Sequence, residues 1–288
     1  VATADIGVQK QILFLKWWSP PKGRSIYLAA SVWSDHRPSA IVFALAENRL
    51  ESVFERPNCV LGAFDLDGDH LAETLLSQQF DPESFFGYRF HQLVFNGTTV
   101  AVVRSDLDLP LDFTVSGSQF ADLTDNGKNE SIVVRNGVLN IYADHEPLYV
   151  SSKQMGGTLS VLTYRQDPSF KDFILTTTSF EIPPLAVDLD DDAQQELLAI
   201  ASDRSSITAP GAYLNIKNIH FVSFNYADGR FTKKVLSQPF DTPVQGLAVV
   251  GKHIYYVVTE LKSGASLSGR GRLFRCRLGG QSARHRGG

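Results

Sequence analysis

Residues 63–76 read Ala63-Phe-Asp65-Leu-Asp67-Gly-Asp69-His-Leu-Ala-Glu73-Thr-Leu-Leu76, and the same pattern returns twice without a gap. The second copy is Phe120-Ala-Asp122-Leu-Thr124-Asp-Asn126-Gly-Lys-Asn-Glu130-Ser-Ile-Val133. The third is Ala186-Val-Asp188-Leu-Asp190-Asp-Asp192-Ala-Gln-Gln-Glu196-Leu-Leu-Ala199. Each copy has an apolar lead-in, oxygen-bearing side chains at loop positions 1, 3, 5 and 9, and an apolar run directly afterwards. The loops open at Asp65, Asp122 and Asp188, so the spacings are 57 and 66 residues. Self-similarity at such a period marks a repeat architecture.

Between the loops the sequence alternates as strands do. Ser131–Arg135, Val138–Ala143 and Pro147–Ser152 are short β-type runs, and Asn136-Gly137 is a strong tight-turn signal between the first two. Asn96-Gly97 sits likewise between Leu93–Phe95 and Thr99–Val103. No convincing amphipathic helix interrupts them. About four strands per repeat is the content of a propeller blade, which buries its faces only by stacking on its neighbours. Two decayed copies complete the set. Ala30–Phe43 keeps only a central Asp35, and Leu247–Val258 keeps strands on either side of a short turn at Gly251. The expected fold is an all-β propeller of about five recognisable blades, with roughly four antiparallel strands each, either complete or part of a seven-bladed ring. The repeats fall near 28–58, 60–112, 117–180, 183–240 and 244–275 in one domain over 1–275, with a flexible Arg- and Gly-rich tail over 276–288.

Carboxylates at positions 1, 3 and 5 of a tight turn aim their oxygens at one spot and repel one another unless a cation lies among them. Calcium suits the set because it accepts six to eight oxygens in a flexible arrangement. The backbone carbonyl at position 7 (Leu71, Lys128 or Gln194) and the Glu at position 9 (Glu73, Glu130 or Glu196) complete the expected shell. Gly68 and Gly127 ease the sharp turns. An EF-hand opens in the same way, but it needs a bidentate Glu at position 12 and flanking helices. Position 12 here is Leu76, Val133 or Ala199, each inside a strand-like run, which rejects it. Asp65, Asp67, Asp69 and Glu73 make a four-carboxylate set, as do Asp188, Asp190, Asp192 and Glu196 with Asp191 beside them. Asp122, Thr124, Asn126 and Glu130 carry two formal charges and are expected to bind most weakly. The competing reading is a set of solvated acidic turns without metal.

This pattern resembles the FG-GAP/VCBS repeat family, the calcium-loop propeller repeats of integrin α-chain heads and many bacterial extracellular proteins. The run Ala-Asp-Leu-Thr-Asp-Asn-Gly-Lys-Asn-Glu at 121–130 is especially close to the family's wording, and the three repeats cover roughly residues 60–240. Wording of the Phe-Gly-x-Gly-Ala-Pro type is absent, which places the chain nearer the VCBS variant. The resemblance implies a propeller, most often seven-bladed, with structural calcium on its blade turns and a protein- or glycan-binding surface formed by loops on one face. Family members are mainly non-catalytic adhesion or binding modules, though some sit beside catalytic domains.

The remaining features narrow the function by exclusion. A formal net charge of −4 and no basic stripe argue against nucleic acid as a partner. No run approaches the roughly 18 apolar residues of a membrane span, since Ile12–Trp18 is short and carries Lys16. The chain opens at Val1 without a basic-then-apolar leader and is read as a mature or excised piece. Gly264-Ala-Ser266-Leu-Ser268-Gly269 lacks the second glycine of a nucleophile elbow. No zinc-protease, phosphate-loop or dinucleotide motif occurs. His36, His70, His91, His145, His220, His253 and His285 are scattered. Cys59 and Cys276 are either unrelated thiols or one bridge. Trp17, Trp18 and Trp33 are read as blade packing rather than a sugar platform. Asn96-Gly-Thr98 and Asn129-Glu-Ser131 match the N-glycosylation pattern, but the second lies inside a metal loop. Weak calcium sites suit a calcium-rich setting, so the protein is expected to be extracytoplasmic (secreted, periplasmic or on the cell surface), monomeric and non-catalytic. The alternatives are a propeller enzyme acting on polysaccharide through a carboxylate pair and a purely structural domain of a larger secreted protein.

Overall fold

The structure, a computed structural model, describes Ile6 and residues 10–21, 25–69, 71–95, 100–105, 107–152, 155–156, 160–169, 174–204, 216–261 and 269–277. Every regular element among them is a strand, and the sheets are those of a five-bladed β-propeller. His70, the Asn96-Gly97 turn with its glycosylation pattern, residues 264–268 and the tail beyond 277 lie outside the described residues. The chain divides into two compact units, Val1–Phe120 with Leu162–Phe180, and Ala121–Val161 with Glu181–Gly288.

The first unit holds two four-stranded sheets. One is β1 (Gln11–Trp18), β2 (Tyr27–Ser34), β3 (Arg37–Ala46) and β4 (Arg49–Pro57). The other is β5 (Cys59–Phe64), β6 (Thr74–Asp81), β7 (Phe85–Phe95) and β8 (Val100–Arg104), paired in order. Ala40 and Val42 of β3 pack with Leu61, Ala63 and Leu75, while Ile41 and Phe43 pack with Ala30 and Val32. Alternate side chains of one strand thus enter two cores, because successive residues point to opposite faces. That is why the blade strands read as unbroken apolar runs. At Gly62 a Cβ would lie 2.7 Å from the Phe64 ring and 2.8 Å from Val115, so close packing there requires glycine.

The second unit holds β9 (Ser118–Ala121), β10 (Glu130–Arg135), β11 (Val138–Ala143) and β12 (Glu146–Val150) in one sheet. Of β9, only Ala121 belongs to this unit. β13 (Val161–Arg165) and β14 (Leu175–Ser179) form a separate hairpin, nearly all of which belongs to the first unit. The expected third repeat over 117–180 is therefore a blade that finishes at Val150, followed by this hairpin. The ring of its Tyr164 meets those of Trp33, Phe80 and Phe85 at tilted or edge-on angles, and Phe180 just beyond it touches Phe14, Phe85 and Phe86.

Next in the second unit come β15 (Leu185–Val187), β16 (Glu196–Arg204), β17 (Ile216–Ala227) and β18 (Arg230–Val235), then β19 (Val244–Val250), β20 (His253–Leu261) and β21 (Gly269–Arg277). Leu197, Ala199 and Ala201 of β16 pack with Ile132, Val134, Leu139 and Ile141. Leu198 and Ile200, on the opposite face, pack with Val244, Ile254, Tyr256 and Val258. Burying each such Leu, Ile or Val side chain contributes about 1.5–3 kcal/mol, which the ordering of the chain largely offsets.

Three sequence assignments need correction. Asp35 does not occupy the position of the acidic loops. It forms the β2–β3 hairpin with His36, with φ of 50° and 67°, whereas the acidic loops join the first strand of a blade to the second. The first blade accordingly starts at Gln11 rather than near 28. Cys276 and Arg277, assigned to the tail, pair with Ile254 and His253 in β20. The short turn at Gly251 does join the first two strands of its sheet, as the alignment implied. Both cysteines are free thiols. Trp18 is buried and Trp33 half-buried, but Trp17 is 58% exposed.

Candidate metal centres on the blade loops

The three acidic loops connect β5 to β6, β9 to β10 and β15 to β16. They share one hydrogen-bond frame. The position-9 carboxylate accepts from the position-2 amide every time: Leu66 N to Glu73 Oε1 at 3.0 Å, Leu123 N to Glu130 Oε2 at 2.7 Å, and Leu189 N to Glu196 Oε2 at 2.7 Å. The position-7 amide donates to the position-5 side chain: Leu71 N to Asp69 Oδ1 at 2.7 Å, Lys128 N to Asn126 Oδ1 at 2.8 Å, and Gln194 N to Asp192 Oδ1 at 2.9 Å. The position-1 carboxylate gathers the amides between them. Asp65 takes Gly68 N, Asp122 takes Asn126 N and Gly127 N, and Asp188 takes Asp191 N and Ala193 N. Short polar side chains thereby fold the turn back on its own backbone.

The glycines play different parts in the turns. Gly68 stands at position 4 with φ 81°, where the other loops place Asp125 (55°) and Asp191 (69°). Gly127 stands at position 6 with φ 77°, where the third loop has Ala193 at 73°. Asp tolerates the left-handed region through local hydrogen bonds, but Ala has no such compensation.

What fills the frame differs between loops. In the first, ligand atoms of Asp65, Asp67, Asp69 and Glu73 all lie within 4.8 Å of one another. Glu73 Oε2 is shielded from water and has no hydrogen-bond partner among the described residues. The other oxygen accepts from Leu66 N and from Thr74 Oγ1 at 3.0 Å, and the Glu73 carbonyl accepts from Trp18 Nε1 at 2.9 Å. The residues therefore fit a bound cation, which would supply the missing partner.

In the third loop the equivalent group is Asp188, Asp190 and Glu196, without the expected Asp192. Glu196 is buried, and burial first, then the charges of Asp190 and Asp192, raises its carboxyl pKa. The amide of Leu189 and the side chain of Asn225 (Nδ2 to Oε1, 3.1 Å) work against that rise. Asp191 points elsewhere, into an ion pair with Lys252 from the turn before β20. Both partners are largely exposed, so the pair contributes little.

The second loop assembles no group of three carboxylates. Buried Glu130 instead has both oxygens occupied, by Leu123 N and by Thr124 Oγ1 at 2.7 Å. Lys128 is 3.5 Å from Asp144 and points out of the loop. The side chain of Gln194 leaves the third loop altogether. Its Nε2 donates to Leu123 O at 3.2 Å and to Tyr226 O at 2.9 Å, tying the third loop to the second. Position 12 of each loop is a buried strand residue, as expected from sequence: Leu76, Val133 and Ala199. Sequence reading missed Asn225, Trp18 and Lys252, because each reaches a loop from a distant strand or turn and carries no local spacing signal.

Fold and loops together define a β-propeller with acidic clusters that could hold a metal ion. No protein family and no curated protein matches the sequence. Among solved structures it is similar to a protein from Lactobacillus plantarum at 10% identity, covering 91% of this chain and 83% of that one with a TM-score of 0.35. It is also similar to the polysaccharide lyase Uly1 at 12% identity, covering 92% of this chain and 58% of that one with a TM-score of 0.37. A third is the periplasmic gluconolactonase PpgL of Pseudomonas aeruginosa, at 11% identity, 91% and 88% coverage and a TM-score of 0.33.

Proposed function

We propose that this chain is a calcium-stabilised propeller of the FG-GAP/VCBS type, acting outside the cytoplasm as a non-catalytic module that binds protein or glycan. The observation that carries the reading is the four-carboxylate cluster of the Asp65 loop, with a water-shielded Glu73 oxygen that has no partner among the described residues. Ligands bound to calcium at 2.3–2.6 Å stand up to about 5 Å apart, and the cluster falls within that span. Asp65, Asp67, Asp69 and Glu73 would hold one ion, with the Leu71 carbonyl as a further ligand. Asp188, Asp190 and Glu196 would hold a second, weaker one. Calcium supplies charge neutralisation there, and the chain's own residues supply a preformed frame. Loops fixed in this way give a rigid surface for a ligand. Weak oxygen-ligand sites fill only where calcium is plentiful, which supports the extracytoplasmic setting.

Calorimetric melting of the full chain tests the metal. Calcium at about a hundred times its Kd should add about 2.7 kcal/mol of stability, a rise of roughly 5–10 °C that excess chelator reverses. An unchanged melting temperature at millimolar calcium would sink the metal reading. Arrays of glycans and proteins probed with the calcium-loaded chain test the binding role, and turnover of a polysaccharide would replace it with an enzymatic one.

A further inference from the structure

A second site lies away from the acidic loops, in the first unit. A cavity of about 360 Å³ opens where β4 passes into β5, lined by Arg56, Asn58, Cys59, Gln79, Arg89 and His91 among others. Four strands and one tight link converge on it. Arg89 and His91 are two residues apart on β7, so they share a face. His91 stands opposite Ser77 on β6, and Gln79 stands opposite Cys59 on β5. Asn58, at φ 59°, is pinned on both sides: its amide donates to Pro38 O at 2.8 Å and its carbonyl accepts from Phe80 N at 2.9 Å. The link is therefore held as firmly as the strands beside it.

The charge in this cavity is of one sign. Among the described residues no carboxylate pairs with the guanidinium of Arg56 or of Arg89. Burial pushes the Cys59 thiol up to about 11, so it stays protonated and contributes no negative charge. Its Sγ lies 3.7 Å from the Arg56 carbonyl oxygen. Two polar atoms are sealed from water without a partner among the described residues: His91 Nδ1 and Ser77 Oγ, on facing residues. Burial first, then Arg56 and Arg89, holds the His91 imidazole below its usual range, which keeps it neutral at pH 7. The protein as a whole carries a formal −4, so this local excess of positive charge runs against the sign of the molecule.

We infer that this cavity is a binding site for a small molecule bearing an oxyanion, with Arg56 and Arg89 supplying the countercharge and His91 a polar contact at the cavity wall. Guanidinium groups bind planar and tetrahedral oxyanions through paired donors, which makes arginine the side chain of choice for carboxylate and phosphate. The volume falls within the range of small-ligand sites. The site is separate from the acidic loops and stands whether or not those bind calcium.

Isothermal titration of the full chain with phenyl phosphate, and separately with benzoate, tests it. The two probes share a ring and differ in the anion, so the tighter one names the class of oxyanion. Saturable binding of at least one is expected. It should weaken at least about tenfold in Arg89→Gln and in Arg56→Gln, as loss of a charge-assisted pair implies. Arg49→Gln, on the exposed β3–β4 hairpin, should leave it unchanged. Arg89 is exposed, so Arg89→Gln should melt as the parent does without ligand. A saturating probe should also shift the His91 ring nitrogens in the parent spectrum. No saturable binding by either probe, or the same affinity in the parent and in Arg89→Gln, overturns the proposal.

Discussion

The Asp65 loop and the Asp122 loop share a backbone frame but differ in what balances it. In each, the position-9 glutamate caps the position-2 amide and the position-7 amide caps the position-5 side chain. At Asp122 the remaining Glu130 oxygen is met by the Thr124 hydroxyl, so the loop is satisfied by its own atoms. At Asp65 position 3 is an aspartate, which cannot donate when ionised, and Glu73 Oε2 is left without a partner among the described residues. A hydroxyl at position 3 closes the Asp122 frame internally, whereas the carboxylate in the Asp65 loop leaves its frame open. In the Asp188 loop, where position 3 is again a carboxylate, Asn225 from β17 meets the second Glu196 oxygen instead.

Four substitutions sharpen this contrast, taken from the largest expected effect down. Thr124→Val removes the donor to buried Glu130 and should cost about 1–3 kcal/mol, equally with calcium and with chelator. A calcium-dependent cost would mean that the second loop also binds metal. Asp67→Asn should remove roughly half of the calcium-induced rise in melting temperature while leaving the chelated protein as stable or more so, since one like charge disappears. Equal losses in both conditions would show that the carboxylate serves the fold alone. Gln194→Ala strips a donor from the Leu123 and Tyr226 carbonyls. About 1–2 kcal/mol should be lost, and hydrogen exchange at the second loop should quicken. Ala193→Gly is the smallest. It relieves a left-handed alanine worth about 1–2 kcal/mol but adds backbone freedom of about 0.5–1, so a denaturant melt should read a gain of roughly half a kcal/mol.

The loops were legible because their chemistry is local: nine residues fix the turn, and the side chains that fold it are the ones that repeat. The strands after them were legible for a related reason. Burial on both faces turns Leu197–Ala201 into a continuous apolar run that a half-exposed strand would interrupt. Asp35 misled because a blade has three turns, and a short polar turn between two apolar strands looks alike at each. The true first connection of that blade, between β1 and β2, carries no acidic signature to align. The hairpin β13–β14 was absorbed into the third repeat, since its strands alternate like any others and only packing against Trp33, Phe80 and Phe85 assigns them to another unit.

By itself the sequence determined the repeat, the strand-rich blades and the residues that form the acidic turns, because all of these follow from short-range patterns of polarity and turn chemistry. Tertiary structure decided which carboxylates meet. Asp190 joins Asp188 and Glu196 while Asp192 caps a backbone amide, and Asn225 arrives from β17 to hold Glu196. It also brought Arg56, Arg89 and His91 to one cavity from strands that share no motif. Spacing along a chain encodes a turn, but charge balance inside a cluster depends on distances between strands, which only the packed blades set.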